Sequence, residues 1–195
     1  MQNKMQTIAD ISSGYTFRGP LESEPTGDIF AVQAKNLVAN KDIVDITDFT
    51  LISSKGIRSP YFLQHNDLLL VSRGSGFGTF RSSVFASHKK NVIASSSIII
   101  IRVKDVTILP KYISLYLNSL EGQKALLQIV TGGSYIQSIL VKNLSVLEIP
   151  IPSIHLQKSI IALQENISEQ EKLLERKQEI QQNFVNASFM NLTNK

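Results

Sequence analysis

Three polar loops carry the side chains in this chain whose types and spacing suit chemistry. The richest, Ser72-Arg73-Gly74-Ser75-Gly76-Phe77-Gly78-Thr79-Phe80-Arg81, comes after the apolar run Leu68–Val71. Alternating glycines let a backbone approach a ligand closely, and Arg73 and Arg81 can meet phosphate oxygens or the edge of a guanine. A second loop, Thr131-Gly132-Gly133-Ser134-Tyr135-Ile136-Gln137, offers a hydroxyl, a ring and an amide to a base or phosphate, and is expected to link two helical segments. Gln33-Ala34-Lys35-Asn36, just past an expected strand, is the third. Taken singly, each loop also reads as a plain turn.

Several reactions are excluded by what these loops lack. Gly-Lys-Ser/Thr is absent, and the glycine loop precedes a strand rather than the helix whose amino terminus would hold a pyrophosphate. Ser75 lies in Gly-Ser-Gly, not in a nucleophile elbow. Ser59-Pro60-Tyr61-Phe62 invites comparison with the Asp/Asn-Pro-Pro-Tyr/Phe motif of amino methyltransferases, but it lacks the acidic or amide first residue and the second proline, so methyl transfer is rejected. His65, His88 and His155 are scattered, and the chain has no cysteine. Thiolate chemistry, disulfides and Cys-ligated zinc are therefore excluded, and neither a catalytic residue nor a metal site is expected.

The 195 residues, 43% of them hydrophobic, fit one globular domain with an attached element. Residues 1–153 hold 15 Lys+Arg against 11 Asp+Glu, a balance of +4, and residues 154–195 hold 5 against 5. All the excess positive charge sits in the first part, which permits a nucleic-acid partner without demanding one. The amino terminus has no apolar targeting core, and Val92–Val103, the most apolar stretch, contains three serines and falls far short of the about 20 residues that span a bilayer. The expectation is a soluble, cytoplasmic protein with no membrane contact.

Composition breaks at Pro150-Ile151-Pro152. Beyond it there is no Gly or Pro, and fifteen of the twenty positions from Gln164 to Asn183 are Gln, Asn, Glu, Lys or Arg. This predicts a long polar helix capped by Ser153 and reaching about 60 Å at about 1.5 Å per residue. Leu156, Ile160, Leu163, Ile167 and Leu174 form a narrow apolar seam that then moves by one to Leu173, Ile180, Phe184 and Ala187, interrupted by Gln170 and Lys177. So thin a stripe on so long a helix calls for a partner helix.

Before that break the chain reads as short strands and turns. Ile29–Gln33, Asp67–Ser72, Ser82–Ala86, Val92–Ala94, Ser97–Val103 and Val146–Ile151 are expected strands, because β-branched residues cluster there between Gly, Asn and Asp breaks. Pro110 opens a helix that Gly122 is expected to end or bend before Gln123–Val130 resumes it. The fold class is α+β, with domain 1–152 leading into helix 153–195.

The order of these pieces resembles the DNA specificity subunits of type I restriction-modification enzymes. The likeness runs through Ile11-Ser-Ser-Gly-Tyr-Thr-Phe-Arg-Gly19, Asp67-Leu-Leu-Leu-Val-Ser-Arg-Gly-Ser-Gly76, Pro110-Lys-Tyr-Ile-Ser-Leu-Tyr-Leu117 and Thr131-Gly-Gly-Ser134. It ends with Asn143-Leu-Ser-Val-Leu-Glu-Ile-Pro-Ile-Pro152, then Gln157 and Ile160-Ile-Ala162, where the family joins a target recognition domain to a conserved helix. The resemblance implies a mixed α/β recognition domain on a coiled-coil arm. A full subunit alternates two such domains with two helices, so this chain looks like a half subunit, natural or cut from a longer protein.

The same resemblance implies a function. Arg18, Gln33, Lys35, Asn36, Arg73, Ser75, Phe77, Arg81, Ser134, Tyr135 and Gln137 would face double-stranded DNA. The thin seam on a chain with only one helix adds the expectation that Leu156, Ile160, Leu163, Ile167, Leu174 and Ile180 form the partner interface of an antiparallel homodimer, so that the site is a split palindrome. The chain would hold no cofactor and catalyse nothing. A methyltransferase subunit would bring S-adenosylmethionine and the reaction, and a restriction/translocase subunit would join that assembly. The competing expectation is an assembly adaptor or silent recombination remnant whose helix binds partners while its domain reads no DNA.

Overall fold

Clusters of β-branched residues become short strands, and the polar, proline-free end of the chain becomes one helix. The computed structural model describes residues 2–54, 57, 61–133 and 135–193. In chain order these form β1 (Gln2–Lys4), α1 (Met5–Ile8), β2 (Ala9–Ser13), β3 (Ile29–Val32), a 3-10 turn at Ala34–Asn36, β4 (Thr50–Ile52), β5 (Asp67–Val71), β6 (Arg73–Gly74), β7 (Ser82–Phe85), β8 (Val92–Ala94) and β9 (Ile98–Val103). After these come α2 (Pro110–Asn118), α3 (Leu120–Gln128), β10 (Val130–Gly132), β11 (Gln137–Ile139), α4 (Val141–Ser145), β12 (Glu148–Pro150) and α5 (Ile154–Thr193). The α+β expectation is met, and β8 has the expected bounds. Four more strands, β3, β5, β7 and β9, lie within a residue of theirs.

The central sheet is antiparallel in the order β2-β9-β5-β7. Its inner strands are apolar without alternation, because both of their faces are covered. Leu69, Val71, Ile98 and Ile100 join Val32, Leu37, Phe85 and Val92 in one core cluster. Leu68, Leu70, Ile99 and Ile101, all buried, point to the opposite face by the two-residue period of a strand. On that side Ser82, paired with Leu70, donates its hydroxyl to the Ser114 carbonyl of α2 at 3.0 Å, while its amide donates to Asn118 Oδ1 at 2.8 Å.

The one buried carboxylate of β5, Asp67, is answered across the sheet. Arg102 of β9 donates to it through Nε and Nη2, both at 2.7 Å, and the Gln64 amide donates to Asp67 Oδ2 at 2.7 Å. The Asp67 hydrogen bonds hold the Arg102 guanidinium above its ordinary range against the opposing effect of burial. A second, mixed sheet, β4-β3-β8, pairs β3 with β4 antiparallel and with β8 parallel. Tyr15, Phe17, Leu21 and Phe62 pack against its Ile29, Ala31, Ile52 and Ile93.

Three expectations are corrected. The break between α2 and α3 falls at Ser119, not Gly122, because the Ser119 hydroxyl accepts from the Gly122 amide at 3.2 Å and caps α3. A β-carbon on Gly122 would overlap the Tyr116 carbonyl, so glycine there permits the close approach of two helices rather than ending one. The segment Thr131–Gln137 does not link helices but turns the β10–β11 hairpin. The expected strand from Val146 starts only at Glu148, since α4 and its C-cap occupy the preceding residues. Strands β1, β2, β4, β6, β10 and β11 were not foreseen: all but β2 have only two or three residues, too few to show a two-residue pattern, and β2 carries three polar residues.

Two compact units result, Met1–Gln157 and Lys158–Lys195. The first closes on itself, because β1 pairs antiparallel with β12, Gln2 opposite Pro150. Its boundary includes the first turn of α5 for a reason that one side chain supplies. Gln157 is fully buried, donates through Nε2 to the carbonyls of Thr107 at 3.1 Å and Pro152 at 3.0 Å, and accepts the Leu109 amide at 2.9 Å. Ser153 caps α5 as expected, its hydroxyl 3.4 Å from the Leu156 amide. Replacing Gln157 with Ala strands these buried partners and should lower unfolding free energy by about 2 to 3 kcal/mol. Gln157→Glu, which keeps an acceptor but loses the donor, should cost about as much in urea denaturation, and unchanged stability of both variants would contradict this joint.

Candidate functional site

The two glycine loops, separate in sequence, share one sheet. Strand β11 lies between β10 and β6, with Gln137 opposite Gly132 on one side and Gly74 on the other, and Ser138 opposite Thr131 and Arg73. The Ile139 amide continues the ladder to the Ser72 carbonyl at 2.8 Å. Because β6 ends where β11 begins, Ser75–Gly78 and the turn after Gly132 leave the sheet at the same end. Arg73, Ser75, Phe77 and Tyr135 are all exposed there, and Gln137 is half-buried with its Oε1 buried and lacking a hydrogen-bond partner.

The first loop is held in shape at its base. Gly76 and Gly78 have φ of 137° and 79°, in the region that favours glycine. The Gly76 carbonyl accepts the Thr79 hydroxyl at 2.6 Å, and the Gly78 amide donates to Gln123 Oε1 at 3.1 Å. Gln123 of α3 is itself buried, and its Nε2 donates to the carbonyls of Phe80 at 3.0 Å and Leu117 at 2.7 Å. Sequence reasoning missed both Thr79 and Gln123. Thr79 lies in the first glycine loop but was given no role there, and the only signal for Gln123 was an amide in an otherwise apolar helix face.

Arg81 ties in the third loop. Its Nε donates to the Leu37 carbonyl at 3.0 Å and its Nη2 to the Ala34 carbonyl at 3.2 Å, so its guanidinium clasps the 3-10 turn, a role its residue type and position did not suggest. Gln33 and Asn36 likewise turn inward: Asn36 Oδ1 accepts the Gln33 amide at 2.9 Å, Gln33 Nε2 donates to Thr50 at 2.9 Å, and Asn36 Nδ2 donates to the Asp48 carbonyl at 3.2 Å. Lys35 alone of that loop is not engaged in this way.

Other expected residues lie apart or outside. Exposed Arg18 lines a separate cavity of about 770 Å³ bounded by Tyr15–Glu24, Ile52, Ser53 and Ile57. Ser134, and Ser59 with Pro60, lie outside the described residues. His65 and His88 are not scattered: their rings stack with centroids 4.3 Å apart.

Neither residues 72–81 nor residues 130–139 include an Asp or Glu, so the paired loops carry only positive side-chain charge. The carboxylates with lowered pKa are turn anchors elsewhere. Asp28 is held down by the Ser54 hydroxyl and amide, Asp45 by the Thr47 amide and hydroxyl, and Asp105 by the Thr107 hydroxyl and amide. Among the described residues, no group of three His, Asp or Glu side chains could hold a metal ion, and no helix is long and apolar enough to cross a membrane.

Comparison with known proteins gives a consistent result. The chain resembles, at 17% identity and a TM-score of 0.56, the crystal structure of the type I restriction-modification system S subunit from M. genitalium, over 87% of this chain and 39% of that one. It also resembles the HsdS subunit from Thermoanaerobacter tengcongensis, at 18% identity and a TM-score of 0.59, over 90% of this chain and 39% of that one. A chain solved to explain complex assembly and conformational transition of the type I R-M system matches at 18% identity and a TM-score of 0.61, over 90% of this chain and 40% of that one. These likenesses show a shared fold, and the chain spans about two fifths of each structure's length. No curated protein sequence matches. The family model described as the type I restriction modification DNA specificity domain matches residues 4–182, from β1 well into α5. With both its mixed domain and most of its long helix inside that match, the chain belongs to the type I restriction modification DNA specificity domain family.

Proposed function

We propose that this chain recognises a specific double-stranded DNA sequence and directs the methyltransferase and restriction subunits of a type I restriction-modification system to a bipartite site. The observation that carries the reading is the β10-β11-β6 ladder, which joins two acid-free glycine loops and presents Arg73, Ser75, Phe77 and Tyr135 at one end. Short flexible side chains with an exposed arginine suit close approach to phosphates and base edges. Gln137 stands at the base of the same loops, with Lys35 and Arg18 as outer cationic contacts, while Arg81, Gln33 and Asn36 hold the loops in position. The chain performs no chemistry. The methyltransferase subunit binds the helix and supplies S-adenosylmethionine and the methyl transfer, in the cytoplasm where the DNA lies.

Helix α5 supports a dimeric assembly. Leu156, Ile160, Leu163, Ile167, Leu174 and Ile180 are between 36% and 63% exposed along it. Each large aliphatic side chain fully buried is worth roughly 1.5 to 3 kcal/mol, so even partial burial of this seam against a second copy offsets the entropy lost on association. Antiparallel pairing would place two identical domains at opposite ends of the arm and make the target a split palindrome.

Two measurements test these statements. Arg73→Ala should weaken binding of the methyltransferase complex to its cognate duplex by about 1 to 3 kcal/mol, with a smaller loss on random duplex, in gel shifts at two salt concentrations. Equal loss on both would make Arg73 a phosphate contact, and no difference between cognate and random duplex for the unmodified chain would favour an adaptor that reads no DNA. In sedimentation, the free chain should be a dimer at micromolar concentration and a monomer once Ile160→Asp is combined with Ile167→Asp. A monomeric unmodified chain would remove this interface.

A further inference from the structure

Two large rings are held out to water at the end of the paired loops, and base or phosphate contacts by Arg73 do not account for them. Phe77 is 56% exposed and Tyr135 90%, with Ile136 between Tyr135 and the sheet 66% exposed. Phe77 is not loose: it sits between two glycines of positive φ, in a turn closed by the Thr79 hydroxyl on the Gly76 carbonyl and pinned through the Gly78 amide to buried Gln123. Gly132 opens the other loop with φ of 119°, and a β-carbon there would overlap the Ile136 carbonyl, so that position requires glycine. The ladder brings both tips to one end of one sheet, beside exposed Arg73 and with no acidic residue in either loop. A rigidly presented apolar tip in a cationic, acid-free setting matches a stack of bases between phosphates better than a protein surface.

We infer that Phe77 inserts between adjacent base pairs of the DNA, with Tyr135 and Ile136 against the opened step. The inference rests on the DNA-reading function proposed above and adds to it a mode of selection. Part of the sequence preference then arises from how readily one base step unstacks, which favours flexible pyrimidine–purine steps at that position.

The test uses the chain with its methyltransferase subunit and a duplex bearing the site mapped from methylation in the host genome, with 2-aminopurine placed in turn at each step. Binding should raise fluorescence at one step besides the base that the methyltransferase flips out. Phe77→Ala should abolish that rise, leave the flipped-base signal in place, and weaken binding by about 5- to 100-fold. Phe77→Leu, which keeps an apolar wedge, should retain most of both, and Tyr135→Ala should give an intermediate loss. Four results would overturn the inference. A bound duplex with no second unstacked step, or Phe77→Ala indistinguishable from the unmodified chain, would do so while leaving DNA recognition intact. Loss of the methyltransferase subunit from Phe77→Ala in co-sedimentation without DNA would assign the rings to a protein contact. Failure of the unmodified complex to bind the duplex would overturn both readings together.

Discussion

Two paired positions, Arg73 with Ser138 and Gly74 with Gln137, are the constraint on which the site depends. Without them the glycine loops would be unrelated turns at the ends of different elements. Sharing a sheet edge makes them one surface, and the residues at the pairing answer that requirement. A β-carbon on Gly74 would overlap the Thr79 hydroxyl that closes the loop, so the strand must be bare where the loop folds back over it. The short ladder is in turn steadied from the core, since Ser72 follows directly on Val71, the last residue of β5, whose side chains are buried on both faces. Rigid support beneath glycine-rich loops is a general arrangement for recognition.

A second constraint fixes the limits of the recognition unit. Pairing of β1 with β12 brings the start of the chain beside the strand that precedes α5, and Gln157 fastens the first helical turn to the Thr107–Leu109 segment. The proline pair at Pro150 and Pro152 prevents the strand from continuing and leaves Pro152 with a carbonyl that Gln157 can satisfy. Beyond this turn the helix belongs to the other compact unit, and its exposed seam is consistent with a role in assembly rather than in stabilising its own domain.

Much of this was legible in the sequence where one local signal dominated. The run Ile98–Ile101, the cluster Val92–Ala94 and the Gly- and Pro-free segment after Pro152 each specify one conformation strongly, and each took the expected form. The paired loops were legible as candidates but not as neighbours, because strand pairing across more than sixty residues leaves no local trace. For the same reason Arg81, Gln33 and Asn36 could be chosen by residue type while their hydrogen bonds to nearby backbone could not be foreseen. Gly122 misled because a glycine in a helix reads as a break, whereas here it relieves crowding against Tyr116. The break itself came from Ser119, a hydroxyl in a capping position that the periodicity of the surrounding apolar residues hid.

The central claim is that the ends of the two glycine loops form the DNA-facing surface. Amide hydrogen exchange of the chain in complex with its methyltransferase subunit, with and without the duplex carrying its methylated site, addresses that surface directly. Slowed exchange on adding DNA within residues 72–81 and 131–138, with little change at the far end of the β5–β7 hairpin around His65 and His88, is the expected result. Protection confined to that far end, or none in either glycine loop while the duplex is bound, would contradict it.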